Sequence, residues 1–279
     1  MIARNQRTSN LQKFAFYGIL IVTGLLFIYP FLFMVFSSLK ESPEIFANIL
    51  APLGKTLRFD NFVTVLTSVS MGRYLLNTVF VTICVTVGQI VTSLLGGYAF
   101  ARINFPGREW LFRIYLGTIM VPFTVILIPI YKMMLLFQWV DKFQALIIPW
   151  LYTAYGTFLM RQFFKGLPQE LEEAAVIDGA SRLRILWSIF VPLSGPAIAT
   201  QFTISFLYAW NSFIWPLIVM QTKANYVVTQ GLADIQGAYN SQPPIVLAAA
   251  TLAIIPTVTV FLLAQRYFVE GIATTGMKN

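Results

Sequence analysis

The chain has 279 residues, 57% of them hydrophobic and only 11% charged, with a formal net charge of +8. An ordinary soluble domain is roughly 25% charged, so this composition belongs in lipid. One cysteine, Cys84, and no histidine exclude an internal disulfide, multi-cysteine metal sites, zinc chemistry and His-based acid–base catalysis.

At the N-terminus, Arg4, Arg7 and Lys13 precede an apolar run from Phe14 to Phe36. The run has about the 20 residues that a helix needs to cross ~30 Å of hydrocarbon. No small-x-small cleavage site follows it, so it reads as a retained membrane helix and not a signal peptide. Comparable runs place six expected spans at about 14–37, 74–100, 111–131, 143–163, 194–220 and 245–265. The expected fold class is an all-α polytopic membrane protein with a single transmembrane domain over 1–279. An even number of crossings puts both termini on one side. Seven cations (Lys40, Lys55, Arg58, Arg73, Lys132, Lys142 and Lys223) fall in the segments of one side and the other twelve of the nineteen Lys and Arg in those of the opposite side. The positive-inside rule then puts both termini in the cytoplasm. The cations form no stripe that would follow a nucleic acid; scattered between spans, they suit loops facing anionic membrane lipid.

Prolines interrupt the spans at Pro30, Pro122, Pro129, Pro149, Pro216 and Pro256. Each frees a helical carbonyl, which lipid tolerates only where a neighbour or a wet cavity satisfies it. The apolar cores of the six spans hold no Asp, Glu, Lys or Arg, whereas ion-driven carriers and intramembrane enzymes keep such groups to do their work. Asn77, Gln89, Gln201, Tyr208 and Asn211 are the polar side chains to account for. They serve either a neutral, hydroxyl-rich solute or helix–helix bonds, worth about 0.6 kcal/mol each. In the fifth span Tyr208, Trp210, Asn211 and Trp215 combine aromatic faces with an amide, a set that suits sugar rings. The competing reading has the tryptophans anchoring the span at the interface. No G-x-x-x-x-G-K-[ST] loop occurs to cradle a nucleotide, so any ATP-driven step must draw on another chain.

Between the fourth and fifth spans lies a polar insert, about 165–192. Pro168 with Glu170, Glu172 and Glu173 reads as a helix start, since proline is tolerated in the first turn and acids there complement the helix dipole. Asp178-Gly179 stops that helix, and Ser181 caps a second, amphipathic one running through Leu183, Leu186, Trp187 and Phe190 to Pro192. Leu171, Ala174, Ala175 and Asp178 fall at i, i+3, i+4 and i+7, an expected narrow face with two alanines at its centre. An acidic helix is repelled by anionic lipid, so this face points to a protein partner.

The order Glu173-Ala174-Ala175, three residues, Gly179, nine residues, Ile189 and then Pro192 resembles the EAA motif of bacterial ATP-binding-cassette import permeases, with Val191 where leucine is usual. "GYAFARINFPGR" (Gly97 to Arg108), "AWNSFIWPLIV" (Ala209 to Val219) and the tail "FVEGIATTGMKN" are similar to the carbohydrate-importing branch that takes up di- and oligosaccharides, related polyols or glycerol phosphates, in particular to its smaller, maltose-type permease subunit. The resemblance implies a six-helix type I importer subunit of the bacterial plasma membrane. Its partners would be a homologous second permease, two copies of an ATP-binding subunit that hold ATP and Mg2+, and an extracytoplasmic sugar-binding protein. It also implies that Glu173, Ala174, Ala175, Asp178, Gly179, Ile189 and Pro192 dock and couple the ATPase, with no cofactor or metal held by this chain and no catalytic residue on it.

A self-contained secondary carrier is the alternative, since unwound carbonyls can bind sodium without charged side chains. A membrane enzyme would need loop carboxylates such as Asp60, Asp141 or Asp234, which form no paired motif.

Overall fold

The computed structural model describes residues 10–47 and 53–276, with side chains from Lys13 to Ile45 and from Leu53 to Gln265. Arg4, Arg7 and Lys278 of the charge asymmetry lie outside the described residues, as do the side chains of Arg266 and of the C-terminal motif. The described residues contain helices and loops and no strand.

The helices, in chain order, are α1 Asn10–Ser37, α2 Ser42–Ala47, α3 Asp60–Thr67, α4 Met71–Arg102, α5 Arg108–Gly117, α6 Phe123–Leu136, α7 Phe143–Ile147 and α8 Ala154–Lys165. They continue with α9 Glu170–Ile177, α10 Arg182–Ile185, α11 Val191–Leu193, α12 Gly195–Trp210, α13 Ile214–Val219, α14 Val228–Ala238 and α15 Pro243–Gly276. The chain divides into two compact units, residues 1–70 with 234–252 and residues 71–233 with 253–279.

In the first unit the apolar part of α1, Lys13–Ser37, buries 0% of its most apolar window against the rest of the chain. Only lipid or another apolar chain can cover such a surface. After α1, Arg58 ties the loop together, bridging Glu41 at 2.9 Å and Asp60 at 2.8 Å, while Asn61 Nδ2 donates to the Ser38 and Lys40 carbonyls.

The second unit is organised on α4, along which α8 and α12 pack. Small residues permit the close approach. A Cβ at Gly97 would stand 3.0 Å from the Arg161 backbone nitrogen and 3.1 Å from the Met160 carbonyl carbon. Without a hydrophobic drive between helices in lipid, contacts this close hold the bundle together.

Among the described residues, four helical stretches are long and apolar enough to cross a membrane: Lys13–Ser37, Met71–Arg102, Gly195–Val219 and Pro243–Gln265. Arg108–Met120 and Phe123–Leu136 make a fifth if the pair, bent by 98° at Val121-Pro122, is one span. The stretch expected as a continuous fourth span, 143–163, is broken instead into α7, a 3-10 turn at Ile148–Trp150 and α8. Pro149 supplies the reason, because it cannot donate its nitrogen and the helix cannot run through it undisturbed. The carbonyls at the break are captured: Gln89 Nε2 donates to Trp150 O at 3.0 Å and Thr92 Oγ1 to Leu151 O at 2.8 Å. Irregular backbone at membrane depth requires this kind of satisfaction.

The loop between α6 and α7 is pinned to the loop after α13. Asp141, in the left-handed region at φ 63 that aspartate tolerates, accepts from the Gln221 and Thr222 amides at 2.9 and 3.0 Å and from the Thr222 hydroxyl. Partial burial pushes its carboxyl up, but the Thr222 hydroxyl, the two amides and Asn225 outweigh burial and hold the pKa down at about 2.

Candidate functional site

The polar insert forms the expected short acidic helix. Glu170, Glu172 and Glu173 occupy the first turn of α9, where the positive end of the helix dipole favours carboxylates. Its end is a Schellman turn: Ala180 N donates to Ala175 O at 2.9 Å and Gly179 N to Val176 O at 3.0 Å, with Gly179 at φ 76. Ser181 Oγ then accepts from Arg184 N and caps α10. The amphipathic helix expected through to Pro192 is not uniform; α10 passes into a π-helical turn at Leu186–Phe190 before α11. Pro192 lacks the N–H that would bond the carbonyl four residues earlier, and Ser194 Oγ takes the Phe190 carbonyl at 2.6 Å.

The faces of α9 differ from the expected one. Ala174 and Ala175 do not share a face, since successive residues turn by about 100°. Ala175 is buried in a cluster with Leu94, Tyr98, Phe164, Ile185 and Phe190, while Ala174 is exposed beside Glu173, Ile177 and Asp178. Ile177 is 86% exposed, a large apolar side chain presented outward next to a free carboxylate. Of the expected coupling residues, then, Glu173, Ala174, Asp178, Gly179 and Pro192 face outward, Ala175 faces inward and Ile189 packs against the same buried cluster.

The inward face is set by a residue the motif does not contain. Glu172 is 7% exposed; its Oε1 accepts from Arg182 Nη1 at 2.5 Å and from the Tyr98 hydroxyl at 3.1 Å. Arg102 Nε stands 3.9 Å from Oε2, an ion-pair separation, and its Nη2 donates to the Phe164 and Leu167 carbonyls at 2.6 and 2.5 Å. Tyr98 meets Phe190 and Phe164 edge to face at 5.1 and 6.4 Å, and the Arg102 guanidinium lies 5.2 Å from the Phe190 ring centre. Two arginines at the ends of apolar stretches near an excess of acid were the available sequence signal for this cluster.

The aromatic set of the fifth span is divided. Tyr208 and Trp215 line one narrow cavity with Trp150, Thr78, Ser212 and Val227. Its volume, about 20 Å³, admits a water-sized group and excludes a sugar ring. Trp150 is its centre, 6.1 Å from Trp215, 6.3 Å from Tyr208 and 5.5 Å from Phe123. Trp210 is not part of this set: it stacks on Phe206 at 5.5 Å and donates to Ala253 O on α15. Exposed Asn211 donates to Leu207 O within its own helix end. Of the other polar residues of the spans, Asn77 donates to the Ala224 and Tyr226 carbonyls of a loop, and Gln201 donates to Ser205 one turn on within α12.

Residues 89–274 match the family model for binding-protein-dependent transport system inner membrane components. The chain is similar to the arabinooligosaccharides transport system permease protein AraQ of Halalkalibacterium halodurans, with 32% identity over 90% of this chain and 91% of the relative. It is similar also to the sn-glycerol-3-phosphate transport system permease protein UgpE of Rhizobium meliloti, at 34% identity over 92% of this chain and 94% of the relative. A solved bacterial ABC transporter involved in the import of the acidic polysaccharide alginate shares its fold, with a TM-score of 0.83 and 23% identity over 94% of this chain and 98% of that one.

Proposed function

The chain belongs to the family of binding-protein-dependent transport system inner membrane components, and from that premise we propose that it forms half of the pathway of an ATP-driven sugar importer, coupled to an ATPase through α9. It is a membrane permease with the type I ABC importer fold. The other half is a homologous second permease, two copies of an ATP-binding subunit sit on the cytoplasmic side, and an extracytoplasmic protein delivers the sugar. Six crossings with both termini in the cytoplasm complete the arrangement, the broken α7–α8 stretch serving as one of them.

One observation carries the coupling role: α9 turns Glu173, Ala174 and Ile177 outward while its opposite side is tied down by Glu172 and Ala175. A small residue flanked by a carboxylate and an exposed isoleucine suits a protein groove with a basic or amide group in it.

The substrate class is a sugar, either a di- or oligosaccharide or a related polyol or glycerol phosphate. The lining of the aromatic cavity is apolar and hydroxyl-bearing, which suits the apolar C–H faces and hydroxylated rim of a sugar. Tyr208, Trp150 and Trp215 are the contacts of this chain, opened when the helices part; Trp210 and Asn211 flank them.

Glu173→Lys is the test. As a mere complement to the helix dipole the carboxylate is worth about 0.3–1 kcal/mol, and its loss leaves coupling intact. As one partner of a buried charged contact its loss costs about 2–5 kcal/mol. The variant is expected to insert and pair with the second permease but to lose ATPase subunits on purification, along with hydrolysis stimulated by loaded binding protein. Wild-type retention of both would return α9 to an ordinary solvated helix.

A further inference from the structure

We infer that Glu172 locks α9 to the cytoplasmic end of α4, so that the two move as one body; the inference extends the coupling role proposed above. Adjacent glutamates thus have opposite tasks: Glu173 faces a partner, and Glu172 transmits what that partner does.

The argument rests on connectivity. Glu172 is the point where four elements meet, because its carboxylate holds Tyr98 and approaches Arg102 on α4, holds Arg182 on α10, and through Arg102 reaches the carbonyls that end α8. Tyr98 is 3% exposed and Glu172 7%. In such surroundings Tyr98 or Glu172, on losing its partner, cannot turn to water, whereas the exposed Arg182 can. A displacement of α9 relative to α4 would have to break the Tyr98–Glu172 hydrogen bond and the Arg102–Glu172 ion pair together. Moving α4 with α9 breaks neither of them.

Apolar packing alone would not fix this relation as firmly. Ala175 is the other side chain of α9 buried in the bundle, and a single methyl lets a short helix slide or roll. The direction and range limits of hydrogen bonds supply what the methyl cannot. Glu172 is therefore a positioning residue: it touches neither solute nor nucleotide and acts through the helix that carries it.

The test uses the assembled complex of this chain with its second permease and ATPase, in which Cys84 is replaced and spin labels are placed at Val176→Cys on α9 and Leu95→Cys on α4, both exposed positions outside the proposed docking face. In the parent complex the distance distribution is a single narrow peak with and without ATP. Glu172→Gln is expected to broaden it about twofold or split it, while the ATPase stays bound and solute moved per ATP hydrolysed falls about tenfold or more. Tyr98→Phe, which removes one donor and keeps the ring, gives a smaller broadening in the same direction and stands in if the glutamine variant fails to assemble. An unchanged distribution in Glu172→Gln, or in Tyr98→Phe where it stands in, overturns the inference. Retention of the ATPase by Glu173→Lys sinks the docking role separately and leaves the distance result to decide the lock.

Discussion

Gly179 and Asp141 show how much a single position decides. At φ 76, Gly179 closes α9 in a conformation that a β-branched side chain resists. Gly179→Val is expected to cost about 1–3 kcal/mol locally and to fray the last turn of α9, read as loss of binding-protein-stimulated ATPase activity at unchanged membrane insertion; full stimulation would show that the turn is dispensable. Asp141 has its carboxyl lowered from 3.8 to about 2. A depressed acid stabilises the fold above its unfolded value and loses that contribution as pH falls through the folded one. Protection of the Gln221 and Thr222 amides, corrected for intrinsic exchange, should therefore hold from neutral pH to about pH 4 and collapse towards pH 2, whereas Asp141→Ala, which leaves no acceptor, should lack it throughout. Protection that fades already near pH 5 would contradict the hydrogen-bond account. At this scale the sequence was least readable. Glu172 and Glu173 are the same chemistry one residue apart, and only the packing of Tyr98 and Arg182 against one of them separates their roles.

Among the elements, α9 was legible because each of its signals is local: acids in the first turn, glycine after the last, serine at the next cap. The break at Ile148–Ala154 was not, although Pro149 was in view. Whether a proline kinks a span or divides it depends on distant donors, here Gln89 and Thr92 of α4. The same side chains explain why the polar residues of the spans could not be assigned from sequence alone; Gln89 and Asn77 bond backbone carbonyls, and neither faces the aromatic cavity. Close approach of α8 to α4 gives the sharpest test at this scale. Gly97→Ala must push against the backbone of Met160 and Arg161 and is expected to destabilise the protein by about 1–3 kcal/mol. Gly117, where nothing lies within 4 Å, should accept alanine without loss. Equal thermal midpoints in detergent for the two variants would mean that α8 yields freely and that the packing is not tight.

For the whole molecule, composition alone placed the chain in a membrane, and the motif spacing placed it in its family. The crossing pattern depends on charge placement and is open to labelling. With Cys84 replaced, cysteines at the exposed Lys55 and Lys142 should react from outside intact cells and one at the exposed Asn104 should not. Asn104 is the better inner probe because Arg102 is engaged with Phe164, Leu167 and Glu172. Labelling of Asn104→Cys alone from outside would invert the arrangement.

The central claim is that this chain moves solute only within an ATP-driven assembly. Uptake of labelled oligosaccharides, polyols and glycerol phosphates into proteoliposomes measures it directly, with this chain reconstituted either alone or with its second permease, ATPase and binding protein. Uptake is expected only in the full assembly, with ATP on the ATPase side and loaded binding protein on the other, and no ion gradient should replace either. Accumulation by this chain alone, driven by a sodium or proton gradient without ATP, would contradict the account and make it a self-contained carrier.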